Sequence, residues 1–448
     1  MVGTNYYCRP HILQVIVMLL EFRVKNFKSI KDEVVLSTTL LKDKSKENLI
    51  KTGNKFYPNV LKSLMITGPN ASGKSNVLEA LYFMCYFITT NLDYKPGELI
   101  KPVVPFKLDD NTKNKPSDFE ISLLINNIIY TYGFSLDNKE IYEEYLYSEK
   151  SGKRINIFKR EKNKKFKPLK DEFEKEQLEL FNRTDDNRLY LSVSASWKFK
   201  VTNKIYRFIK DKFSFINKLH GSNVNLYKKI QNDDKFKFLL VNSLKDVDFA
   251  IKDLKISTKK LVELEDRNKL FKFIEFSEGK EKAEKLKNNF ENEIAYKLDL
   301  KHKYISNDKS KEAYFNITEE SQGTNRFIKI FGEILNTIDN NGVIIIDELE
   351  VNLHPYLVNY INAYINSSNN KNAQIIFSSH CYNLLELKES KLRHDQIWFT
   401  QRKEDQSTDL FSLADFSERK DPNLNILKRY FEGRYGALPF IDKRKVDE

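Results

Sequence analysis

Short aliphatic runs alternate along this chain with amphipathic stretches, and the two patterns predict different elements. Val60 to Thr67 (VLKSLMIT) and Gly342 to Glu348 read as strands buried on both faces, as in a parallel sheet, and Ala373 to His380 (AQIIFSSH) as a further apolar strand. Asn76 to Phe87 (NVLEALYFMCYF) reads as a helix directly after the first of them. A second group alternates with period two. Leu20 to Thr38 predicts two strands joined by Lys28–Asp32, and Phe119 to Leu136 predicts an antiparallel hairpin turning at Asn126-Asn127. Ile141–Tyr147 and Ile155–Phe158 extend that meander. From about Phe166 to Ile305 the chain is rich in Lys and Glu with helical spacing, for example Leu254–Phe276 and Lys280–Leu298, which predicts an inserted helical arm or lid. Strand and helix alternate again from Tyr314.

These patterns predict an α/β fold split in sequence. Residues 1–17 form an extension, with Met18 a candidate start; 18–165 are the first half of a head; 166–305 are the arm; 306–448 are the second half. The apolar run Ile12–Leu20 is too short to span a bilayer and passes straight into a strand pattern. The chain carries 75 Lys and Arg against 63 Asp and Glu, a net charge of +12. That balance leaves nucleic acid open as a partner, with lysine-rich solvated surface as the plain alternative. Three scattered cysteines argue against a disulfide framework and suit a reducing cytoplasm.

The chemistry is concentrated in Gly68-Pro69-Asn70-Ala71-Ser72-Gly73-Lys74-Ser75, which fits the G-x-x-x-x-G-K-[ST] phosphate loop between a strand and a helix. Gly68 and Gly73 let the backbone curl so that N–H groups, through Asn76 at the helix start, point at phosphate. Lys74 is expected to reach the β- and γ-phosphates of ATP and Ser75 to ligate Mg²⁺. Gly342 to Glu348 is an aliphatic strand ending in two acids, expected beside the loop. Asp347 is the candidate metal carboxylate and Glu348 the candidate base that activates water. Ser378-Ser379-His380 closes the next strand, where His380 can meet the γ-phosphate or attacking water. Ser321 reads as an N-cap for the helix over Asn325–Ile338, and Ser321, Gly323 and Thr324 together form a candidate anion site.

The order of phosphate loop, arm, Ser-x-Gly element, aliphatic-Asp-Glu and strand-His resembles ABC-type ATPase heads, above all RecF and the structural-maintenance-of-chromosomes (SMC) proteins. The resemblance implies an ABC-type P-loop head, with a mixed sheet and an antiparallel β subdomain. It implies ATP held between two heads, with Ser321, Gly323 and Thr324 serving the opposite copy and Glu350–His354 (EVNLH) meeting its counterpart. More narrowly, Phe22–Ile30, Glu320–Thr324, Asp347-Glu348, Leu353-His354-Pro355 and the tail Phe431–Ile441 resemble the RloA/AbiL-type "AAA family" ATPases of abortive-infection systems. That implies antiphage defence and a TOPRIM-type nuclease or other effector as partner. A RecF-like DNA repair ATPase and a nucleotide-sensing scaffold are the rival readings. The full Leu-Ser-Gly-Gly-Gln signature is absent, and no glutamine stands where a glutamine loop is expected; the next is Gln177.

Overall fold

The structure is a computed structural model, and it describes residues 17–41, 43, 45–171, 173–216, 223–247, 250–260, 294–416 and 425–439. In chain order the elements begin with β1 (Val17–Lys25), β2 (Val34–Ser37), β3 (Leu49–Lys51), β4 (Asn59–Leu61), β5 (Ser63–Thr67) and α1 (Lys74–Thr90). A meander follows: β6 (Ser117–Ile125), β7 (Ile128–Leu136), β8 (Ile141–Lys150), β9 (Lys153–Glu161) and the short β10 (Lys167–Pro168). Then come α2 (Glu174–Asn182), α3 (Tyr190–Ser196), α4 (Lys200–Lys212) and β11 (Phe213–Ile216). The middle of the chain forms α5 (Val224–Asn232), α6 (Asp234–Val247), β12 (Ile251–Lys260), β13 (Ile294–Ser306), β14 (Lys309–Asn316) and α7 (Gln322–Asn340). The last part is β15 (Val343–Ile346), α8 (Pro355–Asn366), β16 (Gln374–Ser378), α9 (Leu387–Ser390), β17 (Ile397–Arg402), β18 (Thr408–Ser412) and α10 (Ile426–Phe431).

Two compact units result. The first takes Met1–Lys218, Thr337–Glu350 and Val358–Glu448; the second takes Leu219–Asn336 and Val351–Leu357. The first unit is α/β and holds two large sheets. One is antiparallel, in the order β10-β9-β8-β7-β6-β1-β2. The other runs β11-β15-β16-β5-β17-β18, parallel except for the β18 edge. Every residue of β5, β15 and β16 is buried, as expected of mainly apolar strands inside a parallel sheet. Buried residues of α1 belong to one core with residues of both sheets. Phe83 and Phe87, one helical turn apart, stack at 5.6 Å, and Phe83 meets Phe119 of β6 at 5.1 Å.

The expected hairpin turns at Asn126 (φ 49°) and Asn127 (φ 65°), the left-handed pair that a two-residue type I′ turn demands and Asn tolerates. The Val60–Thr67 run is two strands, β4 and β5, parted at Lys62, whose ammonium donates to Ser367 O at 2.7 Å. The acid strand is not the immediate neighbour of the phosphate-loop strand, because β16 lies between β15 and β5.

The middle of the chain departs most from expectation. Residues 166–216 belong to the first unit, including α2–α4. In the second unit Ile251–Lys260 and Ile294–Ser306 are paired antiparallel strands, completed by β14. The helical readings over Leu254–Phe276 and Lys280–Leu298 are therefore corrected at 254–260 and 294–298; residues 261–293 lie outside the described residues. A register shift between Ile251 and Asp253 puts the buried Ile251 and Leu254 three apart on one face. That bulge turns period two into the i, i+3 spacing of a helix. β1 includes Val17, so strand pairing reaches one residue before Met18. The rest of the expected extension, residues 1–16, lies outside the described residues.

Candidate functional site

The phosphate-loop residues lie between β5 and α1. Gly68 has φ +151° and Gly73 φ +106°, with Ala71 at φ 60° between them. Both glycines are also sterically required. A Cβ on Gly68 would stand 2.4 Å from Thr400 O, and one on Gly73 would stand 2.0 Å from Thr408 Oγ1. No side chain caps α1, so the positive end of a 17-residue helix opens directly onto the loop.

A chain of hydroxyls holds the loop from behind. Thr408 Oγ1 donates to Ser72 O at 3.0 Å, so its contact with Ser29 Oγ at 2.7 Å is one in which Ser29 donates. Ser29 in turn accepts from Asn76 Nδ2 at 2.6 Å. Ser72 Oγ donates to Pro69 O at 2.8 Å and lies 2.6 Å from Thr400 Oγ1. Asn76 and Ser72, predicted to serve the nucleotide, thus spend their side chains on shaping the loop. Ser29, Thr400 and Thr408 were missed by sequence reading. Their partners lie up to 379 positions away, and no local pattern marks them.

Lys74 is 6% exposed, and its ammonium donates to Gly68 O and Pro69 O, both at 2.9 Å. Burial lowers its pKa from the ordinary lysine value, while the charges of Glu350, Asp347 and Glu348 oppose that shift. Three acids of the β15 edge therefore surround one lysine with negative potential.

Despite the intervening strand, Ser75 Oγ donates to Asp347 Oδ1 at 3.2 Å. Ser378, fully buried at the end of β16, donates to the same oxygen at 2.6 Å and accepts the Glu348 N–H at 2.7 Å. Ser378 holds both acids of the pair and was not singled out from sequence. Glu348 has φ +53°, a left-handed conformation that is uncommon outside Gly, Asn and Asp and that concentrates at functional sites. His380 donates its backbone N–H to Glu350 Oε1 at 2.8 Å. Burial, and next the Lys74 charge, push the His380 pKa below the usual imidazole value.

Lys74, Ser75, Asp347, Glu348 and His380 are thus brought together within the first unit. The fit to Mg²⁺ and a nucleotide phosphate rests on the donor set: one hydroxyl, one carboxylate and an uncapped helix start. Among the described residues no group of three or more His, Cys, Asp and Glu side chains could hold a metal alone. A cation here would need Ser75, Asp347 and ligand oxygens together.

Ser321, Gly323 and Thr324 belong to the second unit. Ser321 Oγ accepts the Thr324 N–H at 3.0 Å, the expected N-cap of α7. A Cβ on Gly323 would stand 2.9 Å from Asn352 O, so only glycine admits the backbone of the 351–354 loop there. Gln177 is buried in α2 and donates to Leu169 O at 3.2 Å, a structural role. In the tail, Tyr430 and Tyr435 stack on Phe399 of β17, the residue before Thr400. Among the described residues no helix is long and apolar enough to cross a membrane.

The family model described as "AAA domain, putative AbiEii toxin, Type IV TA system" matches residues 63–386, more than half of the chain. No curated protein gives a match. Among solved structures the chain is similar to an SMC head domain from Thermotoga maritima, at 10% identity and a TM-score of 0.38 over 88% of this chain and 98% of that one. It is also similar to an Smc head bound to the C-terminal winged-helix domain of ScpA (12% identity, TM-score 0.39, 88% and 97% of the chains). A third is an Smc head with an extended coiled coil bound to the C-terminal domain of ScpA, derived from Pyrococcus furiosus (11% identity, TM-score 0.37, 94% and 99%).

Proposed function

Because the chain belongs to the family of AAA domains of the AbiEii type, we propose that it is an ATP-binding, ATP-hydrolysing switch of the ABC type. ATP is sandwiched between two copies, and the nucleotide state governs a TOPRIM-type nuclease or another toxic effector in antiphage defence. The carrying observation is the Ser75–Asp347 contact, which joins a phosphate loop to an acid pair 272 positions away. Lys74 and the N–H groups at the start of α1 hold the β- and γ-phosphates. Ser75 and Asp347 hold Mg²⁺, which supplies charge neutralisation on the phosphates when bound. Glu348 orients and deprotonates the attacking water, and His380 hydrogen-bonds the γ-phosphate. Ser321, Gly323 and Thr324 serve the phosphate of the second copy, and the cycle runs in the cytoplasm, where ATP is available.

Lys74→Ala removes the charge on the phosphates. Fluorescent ATP-analogue binding and phosphate release should both fall at least about 10-fold, the scale of about 1.4 kcal/mol, and plaque protection by the locus should vanish. A mixture of Lys74→Ala and Ser321→Arg chains should recover one composite site; no recovery from two folded variants rejects the sandwich.

A RecF-like reading has one observation in its favour. Residues 251–260, 294–306 and 309–316, the strands of the second unit's sheet, carry nine lysines against three acids. DNA titrated at several salt concentrations separates the readings, since phosphate contacts make binding fall steeply with salt. No binding at low salt removes the RecF-like one.

A further inference from the structure

Past the acid pair, the β15 edge carries a third carboxylate to which the hydrolytic scheme gives no task. Glu350 Oε1 accepts the His380 N–H at 2.8 Å, while its other oxygen, Oε2, is buried and has no hydrogen-bond partner among the described residues. A buried carboxylate oxygen without a donor is costly, so packing alone does not account for a carboxylate here. The neighbouring strand end shows what the other contact achieves. Ser379 N–H donates to Ile66 O of β5 at 3.0 Å, and Ser379 Oγ accepts the Cys381 N–H at 3.0 Å. With Glu350 between them, three successive N–H groups after β16 have fixed acceptors, and the peptide carrying His380 is tied to the acid strand.

We propose that Glu350 is a positioning residue for ATP turnover: its carboxylate holds the His380 peptide so that the imidazole meets the γ-phosphate. The inference rests on the proposed ATPase reading and adds a residue to its machinery. Glu350 touches neither phosphate nor water in this scheme. It acts through His380.

Three substitutions separate the hydrogen bond from the charge. Glu350→Gln keeps an acceptor oxygen at the same reach and removes the charge. Glu350→Asp keeps the charge and falls one methylene short of the N–H. Glu350→Ala removes both. The readouts are phosphate release and the ratio of affinities for a non-hydrolysable ATP analogue and ADP, with a melting temperature for each variant. Alanine and aspartate should lower turnover about 100-fold, as misplacement of a reacting group by about 1 Å does. Both should erase the preference for the triphosphate, as His380→Ala should too, while glutamine stays near the parent. His380→Ala combined with Glu350→Ala should be no worse than His380→Ala alone, because one residue acts through the other.

Additive losses in that pair, or glutamine falling with alanine while aspartate stays active, overturn the proposal. Should alanine fail to fold, the aspartate and glutamine pair still decides it. The affinity ratio needs no hydrolysis, so a parent that binds ATP without releasing phosphate defeats the hydrolytic reading while Glu350 is still judged. A parent whose nucleotide binding survives Lys74→Ala defeats the phosphate-loop reading separately.

Discussion

Glu144 on β8 and the Asp347–Glu350 segment that follows β15 are both carboxylate sites of the first unit, and they are built in opposite ways. Glu144 is fully buried. Its oxygens accept from Tyr132 Oη (2.9 Å), Tyr190 N–H (2.8 Å) and Leu191 N–H (2.9 Å), and Arg160 Nε lies 2.8 Å away. Two of those donors are the leading amides of α3, so the acid anchors that helix to the antiparallel sheet. Its surroundings supply a donor for each oxygen and a cation for its charge. After β15 the acids are only half-buried, Glu348 has a left-handed backbone, and one oxygen of Glu350 has no donor among the described residues. A carboxylate that serves the fold is saturated by the fold. One set beside a phosphate loop stays half-exposed and so open to a ligand.

The largest expected effect is on the half-exposed side. Glu348→Gln should lower phosphate release by about 10²–10⁴-fold, the usual worth of a general base, with ATP affinity and melting temperature near the parent's. A variant that hydrolyses like the parent would move the base elsewhere and dissolve the contrast.

Glu144→Ala tests the other side. It strands the Arg160 charge and two helix amides in the core, so unfolding free energy should drop by about 3–5 kcal/mol. Denaturant titration measures this. Turnover per folded molecule should stay near the parent's. A loss of turnover without loss of stability would mean that the Glu144 node also serves the site.

The contrast also tracks what could be read from the sequence. The phosphate loop, the Asn126-Asn127 turn and the aliphatic strands β15 and β16 were legible because each is specified within a few residues. So was the gathering of Lys74, Ser75, Asp347, Glu348 and His380, since the order of motifs carries it. The supporting residues were not. Ser378 becomes a clamp on Asp347 only because β16 pairs with β15, and Thr408 reaches the loop only because the chain returns to it after more than 300 residues. Ile251 and Leu254 were misleading for a local reason: the bulge between them counterfeits a helical period. Lysines on the solvent face of β12 and β13 completed the helical impression.

A smaller effect is expected at the hydroxyl chain behind the loop, which is saturated like Glu144 yet borders the site. Thr408→Val keeps the shape that blocks a Cβ on Gly73, but leaves Ser72 O and the Ser29 hydroxyl each short of a partner. Stability should fall by about 1–3 kcal/mol, the cost of an unpaired buried polar group. ATP affinity should fall with it, since the same contact sets the loop's curvature. Calorimetric melting together with analogue binding checks both; affinity unchanged at lowered stability would make the chain a brace for the fold alone.

The smallest effect is electrostatic and concerns the nucleotide-free protein. His380 has its pKa pushed below the ordinary imidazole value, first by burial and then by Lys74. The unfolded chain regains the ordinary value of about 6.5 and therefore binds more protons than the folded chain just below that pH. The stability tied to neutral His380 is fully present above about pH 6.5. It is lost as the pH falls through the lower folded value. His380→Asn should flatten that acid limb when denaturation midpoints are compared from pH 7.5 down to 5. The imidazole is only half-buried, so solvent weakens the effect, and a shallow change of slope is the expected result. Added ATP should reverse the sign for the parent, because a γ-phosphate beside His380 favours the protonated ring. A parent whose acid limb is unchanged by ATP would mean that His380 stands away from the phosphate. The half-exposed acids after β15 would then face some ligand other than the one that Lys74 and its neighbours suggest.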